Sequence, residues 1–215
     1  MVEILPAILT QNLEDFQSKI KLIEGFAEKV QIDVIDGIFL PERTVGLEFM
    51  SSENFSAKLK IDLHLMVNRP EEWVARAVET LPEQIIGQIE RMQDREGFVT
   101  QVIEAGIKVG LALDLKTPAS VVDPELLTKV DTILIMTRRA GFNDSIFDET
   151  ALEKVRYFRK IGGEYLKICV DGGINKENIK KCVQSGADVV AVGGDLWKAP
   201  DIDQELKNLN SLLDL

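Results

Sequence analysis

The chain has 215 residues and a mass of 24.0 kDa, enough for one well-buried core, and 45% of its residues are hydrophobic. A formal net charge of −11 and a pI near 4.7 argue against a nucleic-acid partner, because binding a phosphate backbone normally needs a basic face. Neither a charged-then-apolar leader nor an apolar run of about 18 residues is found, so no membrane span is expected and a cytoplasmic protein is the default.

Strand-like and helix-like segments alternate along the chain almost without interruption. Glu3 to Leu9 reads as a strand, and Asn12 caps an amphipathic helix whose Leu13, Phe16, Ile20 and Ile23 share one face. A strand over Val30 to Ile35 runs into Asp36-Gly37, followed by a loop and a short helical stretch near Phe49 to Ala57. Ile61 to Val67 is the third strand, and Pro70 opens a helix over Glu71 to Thr80. A fourth strand spans Gln84 to Ile89, and a helix over Glu96 to Ala105 is stopped by Gly106. A fifth strand, Ile107 to Leu113, leads to a helix over Ala119 to Leu127. The sixth, Asp131 to Thr137, leads through the loop Arg138 to Ser145 to a helix over Glu149 to Ile161. The seventh strand ends in Asp171 and two glycines, and Asn175 caps a helix that Gly186 terminates. Asp188 to Val192 is the last strand and Ile202 to Leu213 the last helix. Eight such units in one chain of this length, without a Pro/Gly/Ser-rich linker, predict a single (β/α)8 TIM barrel over residues 1–215. No Gly-rich dinucleotide fingerprint follows the first strand, which counts against a doubly wound sheet.

Several strands carry polar residues where a core would take apolar ones. Alternate strand residues face the same way, so Gln31, Asp33 and Ile35 share a face, as do Asp62, His64 and Met66. An unpaired buried carboxylate is costly, so titratable groups at the ends of three strands point to a site. In a barrel, sites sit at the C-terminal strand ends, where Asp33, His64, Met136 and Asp171 fall. Cys169 and Cys182 read as buried thiols without chemistry.

The segments PAILTQNL, QIDVIDGIFLP, IDLHLMV, LDLKTP, ILIMT with AGF, VDGGIN and GADVVAVGG, in this order, resemble the ribulose-phosphate 3-epimerase family of ribulose-phosphate-binding barrels, over Leu5 to Trp197. The resemblance implies a carbohydrate-metabolism isomerase of the pentose phosphate pathway that inverts the carbon beside the ketone of a phosphorylated ketose. Two carboxylates would act through an enediolate. It implies Asp33 and Asp171 as acid and base, and a divalent ion (Zn, Mn, Fe or Mg) on Asp33, His64 and Asp171, with Gln31 where the family has a second histidine. Met66, Met136, Gly141, Gly172, Gly173, Gly193, Gly194 and Asp195 would contact a small sugar phosphate, and relatives are commonly homo-oligomers.

The sequence also departs from the family pattern. Gln31 offers a neutral amide, a weak ligand for zinc-like ions but tolerable for harder cations. Ala7 stands for a usual serine, Ile35 for a usual methionine, and the sixth loop reads Ala140, Gly141, Phe142, Asn143, Asp144. Asp195 follows Gly193 and Gly194 where a small hydroxyl is usual; it either repels phosphate or caps the short helix there. Arg138 and Arg139 are either a solvated loop or a source of positive charge for the phosphate. Besides an active epimerase, two readings stay open: a repurposed barrel serving binding or regulation, and an epimerase with an altered, unphosphorylated substrate.

Overall fold

Apolar runs of four to seven residues become parallel strands, and the amphipathic stretches between them become helices that cover the strands. The structure is a computed structural model that describes residues 2–50, 59–141 and 146–213. In chain order its elements are β1 (Glu3–Ile8), α1 (Leu13–Ile23), β2 (Lys29–Ile35), β3 (Lys60–Met66), α2 (Val74–Val78), β4 (Gln84–Gln88), α3 (Arg95–Glu104) and β5 (Lys108–Leu113). They continue with α4 (Pro124–Leu127), β6 (Thr132–Met136), α5 (Leu152–Gly162), β7 (Lys167–Asp171), α6 (Ile179–Gln184), β8 (Val189–Val192), α7 (Gly194–Lys198) and α8 (Ile202–Ser211). The strands close in the order β1 to β8, which makes the fold a (β/α)8 barrel.

Backbone contacts divide the chain into two compact units, residues 7–112 and residues 1–6 with 113–215. In the first, Ala7 and Ile8 pair with Gln31 and Ile32, and β2 lies in register along the whole of β3, so that Gln31 faces Asp62 and Asp33 faces His64. β3 pairs with β4 and β4 with β5. In the second, Glu3 to Pro6 pair with Val189 to Val192, and β7 lies between β6 and β8, Asp171 pairing with Met136 on one side and Ala191 on the other.

Local chemistry sets the element ends. The Asn12 carboxamide accepts from the Asp15 N–H and starts α1, which buries Phe16, Ile20 and Ile23. Leu13, expected on that face, is half-buried because it is the first helical residue. Gly106 and Gly186 take positive φ where α3 and α6 end. The helix expected over Ala119 to Leu127 is broken: a 3₁₀ turn covers Ala119–Val121, and Asp123 then caps a fresh start at Pro124. Pro70 opens a 3₁₀ turn, Pro70–Glu72, ahead of a shorter α2. The helical stretch expected near Phe49 to Ala57 is seen as a 3₁₀ turn at Leu47–Phe49, and its remainder from 51 onward lies outside the described residues. Both cysteines are buried free thiols, and burial pushes Cys182 up to about 12. Among the described residues no helix is long and apolar enough to cross a membrane.

Candidate active site

The ends of β2 and β3 hold one polar network. Asp33 is buried, and its Oδ1 accepts from Gln31 Nε2 at 2.9 Å and is hydrogen-bonded to His64 Nδ1 at 2.9 Å. Gln31 and His64 are each fully buried. Two neighbours therefore fix one oxygen of this carboxylate, which is how a buried acid is held in a single orientation. Met66, one step beyond His64 on the same face, is buried. Asp36 shapes the exits: its Oδ1 accepts from the Ile38 and Phe39 N–H groups at 2.8 Å, and its Oδ2 accepts from the Asn68 N–H at 2.7 Å. Thr44 returns the loop to β2, its Oγ1 accepting from the Ile35 N–H at 2.9 Å.

The ends of β6, β7 and β8 are built differently. Thr137, fully buried, donates to the Asp171 carbonyl from its backbone N–H at 2.7 Å and its hydroxyl at 3.0 Å, so Asp171 is placed through its backbone. Gly172 and Gly173 follow with φ of 116° and 68°, a turn that side chains other than glycine rarely adopt. Arg138 lies over Gly172, where a Cβ would come 2.7 Å from the arginine Cγ. Asn178 Nδ2 donates to the Gly173 carbonyl at 2.9 Å and the Asn175 carboxamide accepts from the Glu177 N–H at 2.9 Å, so Asn175 caps a turn and α6 begins after Asn178. Gly193 occupies the N-cap of α7, not Asp195, which sits exposed in the first turn with its carboxylate 3.5 Å from Lys198 Nζ. Arg138, Gly173, Asp195 and Lys198 line one cavity of about 540 Å³. Met136 and Gly141 are buried; Phe142, Asn143 and Asp144 lie outside the described residues.

Asp33, His64 and Asp171 are all buried, and each offers a ligand atom within 4.8 Å of the others. Two carboxylates and an imidazole this close concentrate negative charge that a divalent cation neutralises, so the donor set fits such an ion. Gln31 stands beside this group as a donor to Asp33. Thr137, which is not titratable, escapes a reading based on titratable groups, and Asp36, which positions the end of β2 through its own turn, is not singled out by such a reading. The signal for Asp36 is the Asp-Gly that ends β2, since aspartate there commonly caps its own turn.

A closed (β/α)8 barrel with a buried Asp-His-Asp group is the architecture of a metal-compatible barrel enzyme. A sequence model of the ribulose-phosphate 3 epimerase family matches residues 3–197, and the chain belongs to that family. Ribulose-phosphate 3-epimerase from Aquifex aeolicus is 33% identical over 194 residues, 89% of this chain and 87% of that protein. The Bacillus subtilis protein of the same name is 27% identical over 206 residues, 94% of each chain. Among solved structures, 3-hexulose-6-phosphate synthase superposes with a TM-score of 0.73 at 14% identity, covering 98% of this chain and 99% of that one. At that identity the likeness is one of fold.

Proposed function

We propose that the chain is an isomerase of the ribulose-phosphate 3-epimerase type, a single-domain cytoplasmic barrel that inverts the carbon next to the ketone of a phosphorylated ketose. The buried group of Asp33, His64 and Asp171 is the observation that carries this reading. A proton beside a carbonyl is weakly acidic, and its removal moves charge onto the ketone oxygen, so the reaction needs a base, an acid on the other face and an electrophile. One of the two aspartates, ionised, takes the proton; the C–H pair becomes the C=C of the enediolate. The other, protonated, returns a proton to the opposite face as the ketone reforms. Turnover leaves the two protonation states exchanged, ready for the reverse reaction or for reset through solvent.

Gln31 and His64 both engage Asp33 Oδ1, which leaves Oδ2 as the oxygen that moves the proton. A divalent cation, when held by Asp33, His64 and Asp171, supplies electrophilic stabilisation of the enediolate charge. Gln31 orients Asp33, with its Nε2 committed to that carboxylate. Met66 and Met136 give apolar walls. The substrate phosphate goes to the amides of Gly172, Gly173, Gly193 and Gly194, near Gly141, with Arg138 as its cation.

The test is elemental analysis and a D-ribulose 5-phosphate to D-xylulose 5-phosphate assay on one preparation, with manganese, zinc, iron or magnesium added. Turnover that Asp171→Asn lowers by about 10²–10⁴-fold is expected, with deuterium from solvent entering the inverted carbon. Absence of turnover with every cation would remove the reading and leave a barrel used for binding or regulation. An enzyme for an unphosphorylated ketose is the second reading, favoured by the exposed Asp195 on the cavity wall. Thermal stabilisation by free D-ribulose but not by its 5-phosphate would decide for it.

A further inference from the structure

At the end of β4 a second polar side chain faces inward with no role in the chemistry above. Gln88 is fully buried, and neither its Nε2 nor its Oε1 has a hydrogen-bond partner among the described residues. Its direction follows from its neighbour: a Cβ on Gly87 would come 2.7 Å from both Met92 Cε and Phe98 Cζ, so position 87 faces α3. Alternation then turns Ile86 and Gln88 to the barrel interior. The register agrees. His64 pairs with Ile86 and Leu65 with Gly87, which sets Met66 beside Gln88 on the His64 face, while Ala112, with only a methyl group, flanks it on β5. A buried amide with neither donor nor acceptor satisfied is among the costliest choices for a core, and a leucine or methionine would fill the same space without that cost.

We propose that Gln88 is a substrate-binding residue that reads a hydroxyl pair on the sugar, Nε2 donating to one hydroxyl and Oε1 accepting from another. An amide presents one donor group and one acceptor side by side, which matches a neutral polyol; a phosphate, with acceptors only, would use just half of it. This deepens the proposed epimerase reading, on which it rests, by assigning recognition of the sugar as distinct from its phosphate.

The test uses Q88M and Q88L, which keep the bulk and remove both polar atoms, with D-ribulose 5-phosphate and inorganic phosphate as probes in calorimetry. Melting temperatures at or above that of the unsubstituted protein are expected, because the variants remove an unsatisfied amide. Affinity for inorganic phosphate should be unchanged, while affinity for D-ribulose 5-phosphate falls about ten- to a hundred-fold, the loss of one or two hydrogen bonds, and KM rises with it. Unchanged sugar-phosphate affinity in a folded variant would overturn the proposal, as would failure of both variants to fold, which would make the amide structural. Failure of the unsubstituted protein to bind D-ribulose 5-phosphate would overturn it too. Sugar binding lost in Q88M from a protein that turns nothing over would sink the epimerase reading and keep Gln88; normal turnover in Q88M would do the reverse.

Discussion

The strand ends of β2 and β3 differ in kind from those of β7 and β8. At the first, side chains fix side chains: Gln31 and His64 grip one oxygen of Asp33, and all three are buried. At the second, the backbone does the shaping: Thr137 holds the Asp171 carbonyl, two glycines with positive φ follow, and the charges of Asp195 and Lys198 are exposed. A proton moved to and from carbon needs an acceptor held in one place, whereas an anion is held by amides that only a glycine turn can aim. Under the proposed function the same barrel would meet these two demands by two means, and each can be challenged separately.

The largest effect is expected from Asp33→Asn. It keeps the shape of the acceptor but removes its charge, and activity should fall about 10²–10⁴-fold, as for loss of a general base. Circular dichroism should still show a folded protein. A variant that retains more than a tenth of the activity would mean that the β2–β3 network is structural and that the comparison is wrong.

Next in size is Gly172→Ala. The added Cβ would meet Arg138 Cγ at 2.7 Å and the Arg138 backbone N at 3.1 Å, at a φ of 116°. Such backbone strain costs about 1–3 kcal/mol, which lowers the melting temperature by several degrees in a chain of this size. Thermal melts with and without D-ribulose 5-phosphate check it, and the ligand should recover less stability in the variant than in the unsubstituted protein. An alanine that melts normally would show that the turn does not need its glycine.

Much of this division was legible in the sequence. Eight alternating units gave the barrel, because short apolar runs that recur between amphipathic stretches survive any packing detail. Asp33, His64 and Asp171 stood out because acids and a histidine on buried strands are expensive. Element ends were less legible: the break at Asp123-Pro124 reflects a cap competing with helical periodicity, and both readings were present in the residues. Gln88 passed as an ordinary strand residue, since an amide carries no charge to make its burial conspicuous, and it takes the packing of Phe98 against Gly87 and the strand register to show which way it faces. Asp195 was open between a helix cap and a group facing the substrate, because acids favour caps, and Gly193, two residues before it, takes the cap instead.

Arg138→Ala should act more mildly. Arg138 lies over Gly172 and lines the cavity with Gly173 and Lys198. Removing it should raise KM for a phosphorylated ketose about ten-fold, one charge-assisted hydrogen bond, with kcat little changed and binding of free D-ribulose unaffected. An equal loss for the free sugar would place the arginine in the fold and not at the phosphate.

The smallest effect belongs to Asp195→Asn. Its carboxylate is exposed and 3.5 Å from Lys198, on the wall of the same cavity. Exposed charges act through water and salt, so neutralising this one should strengthen phosphate binding only about two- to five-fold at low ionic strength. At 1 M salt, where the screening length shrinks to about 3 Å, the gain should vanish. Calorimetric titration of inorganic phosphate at both salt concentrations separates the outcomes. A gain that persists in high salt would mean that the carboxylate touches the anion directly; this end of the barrel would then be organised by contact between fixed groups, as the Asp33 end is, and not by a screened field over glycine amides.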